Sequence, residues 1–137
     1  MKNLNKYKIT AIYISLIIIV ILVEDSGFTS PFRNWLKVAI PHLDKVGHFL
    51  GMGMLAFLLN NMFHKSNSPK ITLASLAGVI ISLPIVTIEE YSQKYLAYRS
   101  FSYGDLAADY LGIASFTLMF LFLIKRKYTI KTKLLQS

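Results

Sequence analysis

Four apolar runs constrain this chain most, because charged residues of opposite sign flank their alternate ends. The runs cover residues 9–23, 46–63, 71–88 and 106–124. One set of ends carries only basic residues: Lys2, Lys6, Lys8, Lys65, Lys70, Lys125, Arg126, Lys127, Lys131 and Lys133. The other ends carry every acidic residue of the chain: Glu24, Asp25, Asp44, Glu89, Glu90, Asp105 and Asp109. Since short loops rich in Lys and Arg stay in the cytosol, the pattern predicts an all-α membrane protein, a four-transmembrane-helix bundle with both termini cytoplasmic.

Composition excludes several other classes of protein. By length the 137 residues form one domain, and 54% hydrophobic residues with 16% charged residues are too apolar for a typical soluble fold. The net charge of +8 lies beside the apolar runs and forms no basic stripe, which argues against nucleic-acid binding. The absence of Cys excludes disulfides and thiolate metal sites. The first run is followed by Glu24-Asp25-Ser26-Gly27 instead of a signal-peptide cleavage site, so it is predicted to be an uncleaved span.

The segments between the runs predict further features of the bundle. Residues 24–43 and 89–104 are rich in aromatic and charged residues, which favours the membrane interface. The first of them is predicted to be an interfacial or re-entrant outer segment between helices 1 and 2. Residues 65–70 predict a tight inner turn, with Ser68 as the N-cap of the third helix and Pro69 at its first position.

The second run carries two glycines that lie one helical turn apart. Gly47 and Gly51 share one face of the predicted helix, and this spacing lets a neighbouring helix approach closely. We expect Gly47, Gly51 and Gly112 to lie at close contacts within a core formed by helices two, three and four. The alternative is a homodimer surface.

Three short motifs are predicted to meet where the second, third and fourth helices reach the outer side. Asp44-Lys45-x-x-His48 opens the second helix, Glu90-x-x-Gln93 closes the third, and Asp105-x-x-x-Asp109 opens the fourth. Together with Arg99 from the preceding loop, a tight bundle would gather these side chains into one polar pocket. The predicted ligand-binding residues are Asp44, Lys45, His48, Glu90, Gln93, Arg99, Asp105 and Asp109.

Some of these residues also have a purely structural interpretation. Asp44 and Asp105 stand where helix N-caps belong, and the helix dipole favours acids there. Glu90 follows a helix C-terminus, where the dipole disfavours an anion, so it is predicted to pair with a cation, first of all Arg99. Asp109 lies one turn inside the fourth helix, and ionisable residues at that depth usually face a bundle interior.

The order and spacing of these motifs resemble the signature of the VanZ-like family. The matching residues are Asp44-Lys45-Val46-Gly47-His48-Phe49, Glu90-x-x-Gln93, Arg99 and Asp105-Leu-Ala-Ala-Asp109-x-x-Gly112. The family consists of small multi-helix membrane proteins, named after a member associated with low-level resistance to the glycopeptide antibiotic teicoplanin. Asp109 departs from its pattern, which usually has Asn at this position. The resemblance implies a single VanZ-like domain over residues 1–137 and a role in the envelope of a bacterium, in its plasma membrane, but it supplies no reaction.

Two functions remain open for the predicted pocket. In the first, a non-catalytic membrane protein binds a lipid-linked or peptidoglycan-related envelope component, or a glycopeptide that targets it, and contributes to teicoplanin resistance. Basic residues would bind phosphate or carboxylate, and aromatic residues would pack on sugar or isoprenoid. In the second, a metal-assisted intramembrane hydrolase acts on a lipid-linked phosphate. A divalent cation, with Mg²⁺, Mn²⁺ or Ca²⁺ favoured over Zn²⁺, would then be held by Asp44, His48, Glu90, Asp105 and Asp109.

A proton- or ion-coupled transporter is a third class, and it is disfavoured. No charged residue lies at mid-depth in any of the four runs. Because a proton relay needs ionisable groups across the whole bilayer, a cluster at one interface does not provide one.

Overall fold

Every regular element of the described chain is helical. The structure, a computed structural model, describes residues 2–65 and 71–136, and the side chains of residues 4–65 and 71–130. The helices are α1 (Lys2–Asp25), α2 (Ser30–Ala39), α3 (Leu43–Phe63), α4 (Ala77–Ser92) and α5 (Tyr103–Gln136). A 3-10 turn at Leu73–Leu76 leads into α4, and another at Gln93–Tyr95 follows it.

Four helical segments are long and apolar enough to cross a membrane, which confirms the predicted number of spans. They are Leu4–Asp25, Leu43–Phe63, Leu73–Tyr95 and Tyr103–Ile130. Each is longer than the apolar run that predicted it. A helix needs apolar side chains only where it crosses hydrocarbon, whereas its hydrogen-bond ladder continues through polar flanking residues.

The predicted segment between the first two spans folds into α2. This helix has ten residues, begins with Pro31 in its first turn and buries none of its side chains. Ten residues span about 15 Å, half of the hydrocarbon core, so α2 is too short to cross. Its large apolar residues Phe32, Trp35 and Val38 are exposed.

The helix α3 lies at the centre of the bundle, in contact with α5, α4, α1 and α2. It supplies most of the buried apolar core, which consists of Met52, Leu55, Ala56, Leu59, Val86 and Ile113. The helix α1 is peripheral, and apolar residues such as Ile12 and Leu22 are more than half exposed. In a span, such residues are expected to face lipid.

Three glycines mark the close helix contacts: Gly53, Gly78 and Gly112. The prediction for Gly112 is confirmed, whereas Gly47 and Gly51 are not among them. A Cβ at Gly112 would meet the backbone of Phe49, and one at Gly78 would meet the backbone of Ala56. At Gly53 it would meet the ring of Phe116 at 2.5 Å. The prediction that the Gly47-xxx-Gly51 face is a close helix seam is therefore wrong.

The space beside that face explains the error. A Cβ at Gly47 has no neighbour within 4 Å, and one at Gly51 meets only the Ile17 side chain at 3.8 Å. GxxxG spacing places two small residues on one face, but it does not decide whether a helix or a cavity occupies that face.

The starts of α3 and α5 also differ from the predicted caps. The cap position of α3 is His42, so Asp44 lies within the first turn. At the start of α5, the Ser102 hydroxyl accepts a hydrogen bond from the Asp105 backbone N–H at 3.3 Å. Ser102 thus performs the capping expected of Asp105, whose carboxylate is left available for other partners. The predicted inner cap, Ser68 with Pro69, lies outside the described residues.

A buried amide joins three helices near the end of α3 and the start of α4. Asn60 on α3 is fully buried. Its side-chain oxygen accepts a hydrogen bond from the Gly78 backbone N–H at 2.7 Å, and its amide nitrogen donates to Thr117 at 3.0 Å. These bonds connect α3 to α4 and α5 at the place where Gly78 allows α4 to approach.

Candidate functional site

Helices α1 and α4 end, and α3 and α5 begin, at the same end of the bundle. We call this the acidic end, because it carries all seven carboxylates of the chain: Glu24, Asp25, Asp44, Glu89, Glu90, Asp105 and Asp109. All eight predicted ligand-binding residues lie here. The convergence follows from chain direction, because α3 runs opposite to α1 and α4 runs opposite to α5.

A cavity of about 430 Å³ opens at the acidic end between α1, α2 and α3, with α4 and α5 behind. We call it the acidic-end cavity. Five of the eight predicted residues line it: Asp44, His48, Gln93, Arg99 and Asp105. The other three, Lys45, Glu90 and Asp109, lie beside or behind this lining and contact it through hydrogen bonds and ion pairs.

The lining changes from charged to apolar along the helices. Its charged residues are Glu24, Arg33, Lys37, Asp44, Glu89, Arg99 and Asp105. Ile17, Val20 and Ile21 of α1 and Met52 of α3 provide an apolar floor. Gly47 and Gly51 also face the cavity. Their missing side chains create its volume, which is the physical role of the glycine spacing.

Arginine residues join α2 and the loop before α5 to the end of α1. Arg33 on α2 pairs with Glu24 at 2.6 Å and also donates to the Tyr98 carbonyl. Arg99 lies 3.5 Å from Glu24 and 3.9 Å from Glu89. The two guanidinium groups therefore connect α1, α2, α4 and the loop before α5 around the mouth of the cavity.

Lysine residues hold the starts of α3 and α5 together. The Lys45 ammonium lies 2.9 Å from Asp105 on α5 and 3.7 Å from Asp44. Lys37 on α2 lies 3.5 Å from Asp44. The Lys45 side chain is about one-third exposed, whereas that of Asp105 is mostly buried. Loss of Lys45 would thus leave a buried carboxylate without its cation.

Deeper in the bundle, His48 on α3 pairs with Asp109 on α5. The imidazole Nδ1 lies 3.1 Å from one carboxylate oxygen of Asp109 and 3.2 Å from the other. The Asp109 side chain is fully buried, while that of His48 keeps 20% exposure and faces the cavity. This confirms that Asp109 faces the bundle interior.

Glu90 is held by amides, and the prediction that it pairs with Arg99 is wrong. Glu90 is fully buried, and its carboxylate accepts hydrogen bonds from Gln93 at 3.0 Å and from the Ser102 backbone N–H at 2.7 Å. Arg99 instead donates to the side-chain amide oxygen of Gln93 at 3.2 Å. Gln93 therefore stands between the two charges. The helix dipole predicts positive partners for the Glu90 carboxylate, but it does not distinguish N–H groups from a guanidinium group.

The sequence prediction missed the contribution of α1 and α2. Glu24 and Arg33 line the cavity and pair with each other, yet they belong to the segment predicted only to be interfacial or re-entrant. Their nine-residue separation is not a motif, so a single sequence offers little signal for the pair. The chain reversal at residues 26–29 places α2 back over the end of α1.

Charges around the cavity are largely compensated within the protein. Its lining contains four carboxylates (Glu24, Asp44, Glu89 and Asp105) and three Lys or Arg side chains (Arg33, Lys37 and Arg99). Each of these three cations has a carboxylate partner within 4.0 Å. A ligand must therefore satisfy both donors and acceptors, because no lining cation is left for an anion alone.

Comparisons with known proteins identify no relative of this chain. No protein-family model, no curated protein and no solved structure matches the chain. The resemblance to the VanZ-like family therefore rests on the motif residues between Asp44 and Gly112. All of those motif residues except Gly112 lie at the acidic end, and Gly112 lies one turn further along α5.

Proposed function

We propose that this protein is a VanZ-like multi-pass protein of the bacterial plasma membrane that binds an envelope lipid at the acidic-end cavity. The ligand is a lipid-linked, peptidoglycan-related precursor, held by its headgroup. The observation that carries this proposal is the change from charged to apolar residues along one cavity. An amphipathic molecule satisfies both parts, whereas a wholly polar solute would leave the apolar floor uncovered.

The volume of the cavity suits a group of small-molecule size, so it can hold part of the headgroup. Small-molecule sites usually have volumes of about 300–1,000 Å³, and about 430 Å³ lies within this range. Ile17, Val20 and Ile21 belong to the peripheral helix α1, so the floor of the cavity adjoins the surface that would face lipid. A lipid chain can extend along that surface while its headgroup occupies the charged mouth.

The paired charges favour a headgroup that offers both donors and acceptors. Sugar hydroxyls and peptide amides do so, and a phosphate adds an acceptor that the guanidinium of Arg99 can share with Glu24 and Glu89. A bare phosphate would have to compete with carboxylates that already hold every lining cation. The glycan and peptide parts of a peptidoglycan precursor therefore suit this lining better than a simple anionic lipid.

The amphipathic helix α2 suits a position in the membrane interface. Phe32 and Trp35 are exposed and stack on each other with ring centroids 5.9 Å apart, while Arg33 and Lys37 face the cavity. Aromatic side chains favour the headgroup level of a bilayer. With both termini cytosolic, α2 and the cavity lie on the outer side, where a glycopeptide meets its target. Binding of that target in the acidic-end cavity would contribute to teicoplanin resistance.

A glycine variant tests the proposal without removing any charge. Gly47→Leu places a side chain in open cavity space, and Val46→Leu is the matched control at an exposed position outside the cavity lining. Native mass spectrometry of the detergent-purified protein would use a polyprenyl-pyrophosphate disaccharide pentapeptide as probe and phosphatidylglycerol as competitor. We expect the parent and Val46→Leu to retain the probe and Gly47→Leu to lose it. Equal retention by all three proteins would contradict the proposal.

A second function, the metal-assisted hydrolase, is favoured by one specific observation. His48 lines the cavity and lies beside Glu90 and Asp109, and the three side chains have ligand atoms within 4.8 Å of one another. A bound metal ion could activate water for attack on a lipid-linked pyrophosphate. The test is release of inorganic phosphate from polyprenyl pyrophosphate with Mn²⁺ or Mg²⁺. Release that His48→Gln abolishes would favour this function.

A further inference from the structure

Three helices place one imidazole and two carboxylates at a single point behind the cavity. His48 comes from α3, Glu90 from α4 and Asp109 from α5, and one ligand atom of each lies within 4.8 Å of the other two. These residues are far apart in sequence and are brought together only by the packing of the bundle. Asp44 and Asp105, which the sequence had grouped with them, do not belong to this triad.

Backbone contact between α3 and α5 fixes the position of the triad. Gly112 on α5 lies against the backbone of Phe49, the residue after His48. Asp109 precedes Gly112 by about one helical turn, so the close approach at Gly112 directs Asp109 towards His48. The core residue Ile113 continues the same packed surface. The triad thus lies on rigid elements, as a preorganised ligand site requires.

The charge of the triad is incompletely balanced by the protein. Glu90 and Asp109 are both fully buried. Among the described residues, none of the ion pairs joins a Lys or Arg to either carboxylate. His48 can supply one positive charge when protonated, which leaves two buried carboxylates facing a single imidazole. A buried ionised carboxylate normally has hydrogen-bond donors together with an ion-pair partner or a bound metal.

The distances between the side chains suit a metal ion. Ligand atoms each about 2.1 Å from one ion and at right angles to each other are about 3.0 Å apart. The His48 Nδ1 and the nearer Asp109 oxygen are 3.1 Å apart. One Glu90 oxygen already lies within 4.8 Å of the ligand atoms of His48 and Asp109, so only a small movement would bring it to the metal. A metal would replace the proton of the hydrogen bond between His48 and Asp109.

Access and the surrounding hydrogen bonds complete the site. His48 lines the acidic-end cavity, which gives an ion a route from solvent and an open side for water or a ligand. The Gln93 amide and the Ser102 backbone N–H each donate to one oxygen of Glu90 and fix its orientation. Such outer hydrogen bonds hold metal ligands in place.

We infer that His48, Glu90 and Asp109 bind one divalent transition-metal ion at the back of the acidic-end cavity. One nitrogen and two carboxylate ligands suit Mn²⁺ or Zn²⁺ better than Mg²⁺ or Ca²⁺, which prefer oxygen ligands alone. Asp109, the position that departs from the VanZ-like pattern, supplies one of the two charged ligands. The inference does not depend on lipid binding, because the metal contacts only residues of this chain.

Mn²⁺ titration of the purified full-length protein tests the site. The protein is treated with EDTA in detergent, and the electron paramagnetic resonance signal of free Mn²⁺ is followed as metal is added. We expect saturable binding of one ion per chain, displacement by Zn²⁺ and a rise in thermal unfolding temperature. Asp109→Asn and Glu90→Gln should each weaken binding at least about tenfold. No lipid is present, so failure here leaves the lipid-binding test unaffected.

Asp25→Asn is the matched control. It also removes one carboxylate from the acidic end, but Asp25 lies on α1 outside both the triad and the cavity lining. Unchanged Mn²⁺ affinity in Asp25→Asn supports the specific site. The inference would be overturned by equal weakening in Asp25→Asn and Asp109→Asn, which indicates diffuse attraction, or by no saturable binding to the parent. If Asp109→Asn does not fold, the parent stoichiometry and the Glu90→Gln comparison decide.

Discussion

His48 on α3 and Asp109 on α5 pair beside the contact between Phe49 and Gly112, because His48 directly precedes Phe49 and Asp109 lies about one turn before Gly112. The polar contact and the close helix contact are therefore parts of one arrangement. A substitution at Gly112 is expected to change the geometry of the His48–Asp109 pair, even though this glycine carries no functional group. The effect of packing can be measured by comparing Gly112, which lies against backbone, with Gly47, which has no neighbour within 4 Å.

Substitution of two glycines by alanine should have opposite effects on stability. Gly112→Ala places a methyl group against the Phe49 backbone and should lower the free energy of unfolding by about 1–3 kcal/mol or more. Gly47→Ala meets no atom within 4 Å, and alanine favours helix by roughly 0.5–1 kcal/mol over glycine, so it should be neutral or stabilising. Denaturant unfolding in detergent measures both. Similar losses in the two variants would contradict this assignment of the seam.

Removal of the buried amide should destabilise the bundle at its other end. Asn60→Ala leaves the Gly78 N–H and the Thr117 hydroxyl without their present partner, at a cost of about 1–3 kcal/mol. Asn61→Ala is the control, because Asn61 is exposed and accepts a hydrogen bond from Lys6 through its backbone carbonyl, which the substitution keeps. The same unfolding assay applies. An Asn60→Ala protein as stable as Asn61→Ala would show that the amide bridge contributes nothing measurable.

The arginine contacts at the cavity mouth should not be replaceable by another residue type. Arg99→Gln removes contacts to Glu24, Glu89 and Gln93 together, and we expect a loss of about 1.5–3 kcal/mol. Arg99→Lys should restore only part of it, because an ammonium lacks the planar fork. Lys94→Gln is the control, since Lys94 lies over the rings of Tyr91 and Phe101 and is exposed. Full rescue by Arg99→Lys would argue for a diffuse charge effect.

Single engineered cysteines test the orientation, since the chain has no Cys of its own. Ser26→Cys, between α1 and α2, is expected to react with a membrane-impermeant thiol reagent in intact cells. Asn67→Cys, in the basic segment between the second and third spans, should react only after the membrane is opened. Strong labelling of position 67 in intact cells would reverse the proposed topology.

Elements that depend on local pattern were predictable from the sequence, and those that depend on packing were not. The apolar runs identified all four candidate spans, and the motif spacing placed eight polar residues at one end of the bundle. The partners of those residues depend on which side chains meet between helices. Ser102 rather than Asp105 caps α5, and Gln93 rather than Arg99 holds Glu90, because donors of different charge can satisfy the same acceptor.

The same limit applies to small residues and to distant pairs. Gly47 and Gly51 have the spacing of a helix seam, yet they border a cavity. Gly53 and Gly78, with no such spacing, lie at close contacts. The pairing of Glu24 with Arg33 follows from the placement of α2 over α1, which no local preference encodes.

The mutual pairing of charges at the acidic end also affects how a ligand reaches the cavity. Seven carboxylates and five Lys or Arg side chains leave a difference of only two charges (7 − 5) there. Long-range electrostatic steering needs a strong field of one sign, and this surface does not provide one. A lipid headgroup would arrive by lateral diffusion within the membrane plane, and its association rate should change little with ionic strength.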